Sequence, residues 1–378
     1  MRIGIDGRML GKKMTGIGRY TQNLIRHLLE TDDKNQYVLI LNENHPAVPS
    51  KEKDRFKVVR VGFPPLSIYT LFWLNRIIRR EKIDLFHSPF FLAPLWAPCP
   101  VVITVHDLMG LKYPSFFEGR NPVVRLFARF FVKLFVPIAL RRASKIIAVS
   151  ETTKKELVEY LDLPEDKIKV IYEGIESCFK KDLDFQLANK MKSDFQITKK
   201  IILYIGNTRP YKNLPRLIKA FNIFQKEFEG YQLVIGTGDT RKLNTLKKIV
   251  TQLALEQKVI FTGSLQDDDI VALMNSAQVF VFPSLWEGFG FPPLEAMACG
   301  LSVISSKAGS LPEILGEAAF LVNPENEGEI AEGIKQVLIN ESLREQLIKR
   351  GLERVRLFSW EKTANDTLKL YKELIKEN

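Results

Sequence analysis

Two glutamates eight residues apart, Glu287 and Glu295, flank the turn Gly288-Phe289-Gly290. Ahead of them, Val279-Phe280-Val281-Phe282 is a β-branched and aromatic run that reads as a buried strand, stopped by Pro283 and Ser284. Beyond the turn, Pro292-Pro293 opens a helix where proline is tolerated, and Gly300 ends it. Glu295 is expected in that helix's first turn, so the two acids bracket a strand-to-helix turn and do not share a helix face. Gly288 and Gly290 let backbone N–H groups approach a ligand with no Cβ in the way. N–H groups at a helix start, with the positive dipole end, favour a phosphate. One carboxylate suits a vicinal diol such as a ribose, and the other suits sugar hydroxyls. A sugar nucleotide offers both partners. In the plainer reading Glu295 offsets a helix dipole and Glu287 is a solvated loop acid, but the paired acids with the glycine turn favour the ligand.

Three further stretches carry chemistry. Residues 206–213, Gly-Asn-Thr-Arg-Pro-Tyr-Lys-Asn, follow a strand and precede a helix. Gly206 lets the backbone approach a ligand at the edge where open α/β sheets bind, while Lys212 and Arg209 are cations suited to a diphosphate. Gly16 and Gly18 sit where the first strand gives way to the first helix, but Thr21 stands where a dinucleotide fingerprint wants a third glycine. Gly7, Gly11, Lys12 and Lys13 likewise fall short of a P-loop. His106, in His106-Asp107-Leu108, ends an apolar strand and is open to two readings, a satisfied core histidine or a site residue. His27, His45 and His87 have no such context. The acids Asp267, Asp268 and Asp269 read as helix-cap residues ahead of an apolar helical stretch.

Alternating strands and helices position these residues. The first half places strands near residues 2–6, 37–41, 57–61, 84–87, 101–106 and 145–149, with helices between them. A second series follows, with strands at 201–205, 232–235, 259–261, 279–282, 302–305 and 319–322. The expectation is an α/β protein with two doubly wound, mostly parallel sheets. Domains are expected at 1–185 and 186–357, with a terminal helix at 358–378; the charged, poorly periodic residues 173–197 read as the linker. A chain of 378 residues fits two cores better than one. No run of eighteen apolar residues predicts a transmembrane helix, and Met1-Arg2 leads straight into the strand-like Ile3-Gly4-Ile5 without the pattern of a signal peptide. Cys99, Cys178 and Cys299 lack the spacing of a disulfide framework or zinc site, and the cytoplasm is the expected compartment. Residues 1–150 hold 24 Lys+Arg against 11 Asp+Glu, a balance of +13, while the remainder is at −2. Such a basic half points to a phosphorylated substrate or an anionic lipid surface; with no nucleic-acid motif beside the charge, nucleic acid ranks last.

The stretch EGFGFPPLEAMACG resembles the E-x(7)-E signature of the retaining glycosyltransferases of family four, and the likeness extends over essentially the whole chain. Among them it is similar to the mannosyltransferase-type members that build bacterial surface polysaccharide. The resemblance implies a GT-B fold: two Rossmann-like domains facing a cleft, with the last helix crossing back to the first domain. It implies transfer of a hexose, mannose favoured, from a nucleoside diphosphate sugar such as GDP-mannose to a saccharide or lipid-linked saccharide. The sugar nucleotide is then a co-substrate, with no further cofactor and no metal. Gly206 and Lys212 match the family's glycine and lysine, six apart, whereas Asn207 stands where many members carry arginine, a gap Arg209 is placed to fill. Gly16 and Gly18 would border the donor diphosphate and the acceptor cleft, and His106 would lie near the transferred sugar. Leu265, closing residues 262–265, would present backbone to the nucleobase, and Gly288, Phe289 and Gly290 would line the donor. Catalysis falls to Glu287 and His106, and ribose binding to Glu295. A helix at 127–142 mixes phenylalanines with bases and is kinked by Pro137. It reads either as a buried helix with a basic edge or as an interfacial one, peripheral at the inner membrane face, that meets a lipid-linked acceptor.

Overall fold

The computed structural model describes residues 1–11, 16–43, 56–113, 121–182 and 184–376. The chain divides into one unit of Met1–Gly174 with Ser359–Asn378 and a second of Ile175–Phe358. In chain order the first carries β1 (Arg2–Asp6), α1 (Gly16–Thr31), β2 (Gln36–Asn42), β3 (Phe56–Val61), α2 (Ile68–Phe72), α3 (Leu74–Arg80), β4 (Leu85–Ser88) and β5 (Val101–Val105). It continues with α4 (Met109–Lys112), α5 (Pro122–Arg142), β6 (Lys145–Ala148), α6 (Glu151–Leu161) and β7 (Ile168–Val170). The second unit holds α7 (Phe185–Asp194), β8 (Lys200–Ile205), α8 (Leu214–Phe224), β9 (Tyr231–Gly236), α9 (Leu243–Gln252), β10 (Val259–Gly263), α10 (Asp267–Ser276) and β11 (Val279–Phe282). After these come α11 (Phe291–Ala298), β12 (Val303–Ser306), α12 (Leu311–Leu315), β13 (Ala319–Val322), α13 (Glu327–Ile339) and α14 (Glu341–Arg354). The last helix, α15 (Trp360–Lys376), belongs to the first unit.

Among the described residues all strand pairs are parallel, and a strand such as β11 is buried on both faces and reads as an unbroken apolar run. The first sheet runs β3-β2-β1-β4-β5-β6-β7 and the second β10-β9-β8-β11-β12-β13. Strand order therefore reverses between β1 and β4 in one and between β8 and β11 in the other. Open α/β sheets bind ligands outside the carboxyl ends of strands at such a reversal. The loops leaving β8 and β11 begin at Gly206 and Pro283, which puts the sequence-predicted residues at the second sheet's switch point.

The division falls at Gly174/Ile175 and Phe358/Ser359, not at 185/186. Glu173 is buried and bonded to His106 of the first unit, whereas Asp182 N donates to Asn275 of the second. The expected linker at 173–197 is thus ordered in part, and contains α7, whose start Asp184 caps by accepting from the N–H groups of Gln186 and Leu187. At the seam a Cβ on Gly174 would lie 2.2 Å from Trp360 N, so only glycine lets the returning chain pass. α15 packs on α1, with Trp360 edge-on to Tyr20 at 5.7 Å and Thr363 Oγ1 donating to Tyr172 O. α5 starts earlier than the phenylalanine pattern predicts, because Asn121 accepts from Val123 N and Pro122 suits the first turn. It runs through Pro137 as one element. Among the described residues no helix is long and apolar enough to cross a membrane.

Candidate active site

The loops after β8 and β11 bring together two of the residues singled out above. Lys212 Nζ lies 2.6 Å from Glu287 Oε1, and the two side chains are only 8% and 12% exposed. The lysine also sits 4.7 Å from the Phe282 ring centroid and 5.3 Å from that of Tyr211. Local structure forces this meeting. Residues Pro210–Lys212 form one 3-10 turn, which Leu285 N straps to the second loop by donating to Tyr211 O at 2.7 Å. Asn213 then adopts a left-handed φ of 62°, and its Nδ2 donates to Pro283 O and Pro324 O.

Glu287 is held from its other side as well. Ser310 N and Oγ both donate to Glu287 O at 3.1 Å, and Ser310 Oγ also reaches Phe289 O. A Cβ on Gly309 would come within 2.7 Å of Glu287 O and 2.8 Å of its N, and Gly309 has φ +58°. Nothing in the local pattern after β12 marks Gly309 or Ser310 as site residues; only the parallel neighbour relation of β11 and β12 places them there. Gly290 has φ +100°, and a Cβ there would collide with Leu311, so the turn needs glycine for both conformation and space.

Two expectations change in detail and one holds. The helix α11 starts at Phe291, so Glu295 lies beyond its first turn, and it is 8% exposed. Its charge acts on Cys299, whose thiol is pushed up to about 12, first by burial and then by that carboxylate. The Phe289 ring is buried against Phe291 and Phe358, at 5.4 and 5.6 Å, so its backbone and not its ring borders the turn. The acids Asp267, Asp268 and Asp269 form the first turn of α10, with Asp269 accepting from Gln266 N, as their cap pattern suggests.

Around β8 the sheet edge is fitted closely. Gly206 N donates to Gly236 O at 3.0 Å, and Leu265 stands over Gly236, 3.1 Å from where its Cβ would be. Asp239 accepts from Thr208 N and forms a fork with Arg241, which together with those hydrogen bonds holds its carboxyl well below the usual range. Arg209, half-buried, follows in the same loop, its N–H bonded to Asn207 Oδ1.

In the first unit His106 follows β5, beside the β1/β4 reversal. Its Nδ1 is 2.7 Å from Glu173 Oε1 and its Nε2 is 3.1 Å from Pro89 O. A carbonyl only accepts, so Nε2 carries a proton, and a second proton lies between Nδ1 and the carboxylate. Burial pushes the imidazole down, but Glu173, Pro89 O and Asp107 outweigh it, and the net direction is up. Burial raises Glu173 too, so the pair retains its shared proton to higher pH than either group alone. The neighbouring His87 behaves oppositely. Its partners are hydroxyls, Tyr371 at 2.5 Å and Thr104 at 2.8 Å, which satisfy a neutral ring; burial and then the His106 charge lower it to about 3. Tyr20 joins both histidines, bonding Thr104 and standing edge-on to His106 at 4.7 Å. Glu173 was hidden from sequence reasoning within a charged stretch, and His87 in an apolar strand. Gly16 and Gly18 open α1 after β1; Gly16 is exposed with open space around it, Gly18 is buried, and Lys12 and Lys13 lie outside the described residues.

Residues 14–177 match the family Glycosyltransferase Family 4, and residues 186–354 match Glycosyl transferases group 1. The chain is 31% identical over 342 residues to the O-antigen chain mannosyltransferase RfbU of Salmonella typhimurium, covering 87% of this chain and 88% of RfbU. It is 30% identical over 285 residues to the serotype-specific mannosyltransferase WbdA of Escherichia coli; that match takes in 74% of this chain but 34% of WbdA, so it spans about a third of that relative's length. Anabaena HepE in complex with UDP-glucose shares the fold with a TM-score of 0.75 at 19% identity, over 99% of this chain and 100% of HepE. With two doubly wound parallel units matched along their length in this way, the chain belongs to the family-four glycosyltransferases and has their GT-B fold.

Proposed function

We propose that the protein is a retaining hexosyltransferase that moves a sugar, mannose favoured, from a nucleoside diphosphate donor to a saccharide or lipid-linked saccharide acceptor in surface polysaccharide assembly. The reading places it in the cytoplasm, where such donors are made, and gives it no metal and no cofactor beyond the co-substrate. The observation that carries it is the Lys212–Glu287 pair at the β8/β11 switch point, beside the Gly288–Gly290 turn. The likeness to mannosyltransferases supports the choice of sugar, and the UDP-glucose bound by HepE supports a nucleotide donor.

In this reading negative charge builds on the diphosphate as the sugar–phosphate bond breaks. An ammonium has three N–H donors, and Glu287 takes one; the others, with Arg209 and the N–H groups of the turn, stabilise the leaving group. Glu287, steered by Lys212 and held by Ser310, orients the sugar and offsets positive charge at the anomeric carbon without bonding to it. The leaving phosphate takes the acceptor's proton. Gly206 and Leu265 border the nucleoside, and Glu295 its ribose. A panel of nucleoside diphosphate sugars incubated with EDTA-treated protein, with nucleotide release as the readout, tests this. Turnover of one guanosine or uridine donor is expected. Activity that vanishes with EDTA and returns with magnesium or manganese contradicts the metal-free reading.

A further inference from the structure

The helix α5 has five basic residues, Arg125, Arg129, Lys133, Arg141 and Arg142, and no acidic one. Its inner half packs normally: Val132, Val136, Ala139 and Leu140 are buried. Its first half does not. Leu126, Phe127 and Phe130 are 68, 69 and 65% exposed, and Val123, Val124 and Leu134 are exposed beside them. A helix that needs only one buried stripe gains nothing from phenylalanines in water, and contiguous apolar surface of this kind marks an interaction site. The cations flank it: Arg129 and Lys133 gather with Lys112 around one small cavity at the helix flank, while Glu156 pairs with Lys112. At the far end Arg142 stacks 5.0 Å from Trp96, whose ring meets Phe72, so a second exposed aromatic group with Tyr69 and Trp73 adjoins the helix.

We propose that the exposed first half of α5 is a docking face for an anionic phospholipid surface, with Phe127 and Phe130 entering the interface and Arg125, Arg129 and Lys133 meeting the headgroups. The charge pattern selects this occupant. A second copy of the helix would bring like charge against like charge, with no acid in α5 to answer it, whereas an anionic bilayer answers both the apolar and the cationic surface. Tyr113, exposed beside Arg129 and Lys133 at that cavity, is a residue type that settles at the membrane–water boundary. Arg141 and Arg142 are engaged with Leu161 O and Leu95 O, so the outward face belongs to the helix's beginning.

The proposal deepens the acceptor side of the function proposed above, yet its test reads no turnover, so either can fail alone. The full chain is sedimented with vesicles of phosphatidylcholine, and of phosphatidylcholine mixed with phosphatidylglycerol, at low and high salt. Binding is expected only with the anionic lipid and should weaken with salt, since each cation near the surface contributes about a fivefold factor. Two variants locate the face: Phe127→Asp/Phe130→Asp and Arg125→Glu/Lys133→Glu. Each should lower the binding constant at least about tenfold while the melting temperature and near-ultraviolet circular dichroism hold. The face is overturned if the wild-type chain stays in the supernatant with every vesicle, if both variants bind undiminished, or if sedimentation velocity finds a dimer that the variants dissociate and no vesicle binding.

Discussion

At the residue scale the two histidines show how partners decide charge. His106 faces two acceptors and His87 faces two hydroxyls, so neighbouring strands carry one imidazole raised and one lowered. Glu173→Gln removes the largest of the contributions that offset burial, so the His106 titration should move down. Histidine Cε1–H resonances followed against pH would report it; an unmoved titration contradicts the pairing. Removing one partner of a buried pair strands the other charge, so Lys212→Met or Glu287→Gln should each cost about 3 kcal/mol of stability, and the double variant less than their sum. Chemical denaturation of all four forms measures this coupling, and additive losses would mean that the pair has none. Binding of nucleoside diphosphate to Glu287→Gln should persist while turnover falls, because the carboxylate is assigned to the sugar.

At the scale of elements, the turn between β11 and α11 is built from three directions: the 3-10 turn after β8, the loop after β12, and its own left-handed Gly290. Gly309→Ala is the sharpest probe, since its methyl meets the Glu287 backbone, not a yielding side chain. Displacing that carboxylate by a fraction of an ångström should lower kcat on the order of a hundredfold with the KM for donor little changed. Steady-state kinetics checks it; wild-type kcat in Gly309→Ala contradicts the strapping role. Much of this level was legible beforehand. The apolar runs of β8 and β11, and the proline and glycine punctuation around α11, carry local information about strand, turn and helix. What was illegible depends on neighbours distant in sequence. The start of α11 shifted by a residue or two and took Glu295 out of the first turn. Phe289 turned inward because Phe358 offers it a ring. Ser310 and Gly309 have meaning only once β12 lies beside β11.

At the scale of the whole molecule, α15 ties itself into the core of the first unit through Tyr371 and His87, residues 284 positions apart. Sequence periodicity finds that helix, but the buried hydroxyl–imidazole bond that anchors it has no local signature. Its consequence is a pH dependence. The folded His87 is depressed to about 3 from an ordinary 6.5, so its contribution to stability is present above about pH 6.5 and is lost as pH falls toward 3. Between those limits the first unit should lose up to about 1.4 kcal/mol per pH unit from this group, and His87→Gln should flatten the slope of denaturation midpoint against pH. An equal slope in the variant would mean that His87 is charged when folded. Taken as a transferase, the molecule makes one claim that its stability cannot test: the donor's anomeric configuration survives transfer. Proton NMR of the product formed from GDP-mannose and a saccharide acceptor, read before any mutarotation, decides it. A retaining transferase should give an α-linked mannoside, formed by the wild type and almost absent with Lys212→Met; a β-linked product, or undiminished transfer by Lys212→Met, contradicts retention at this site.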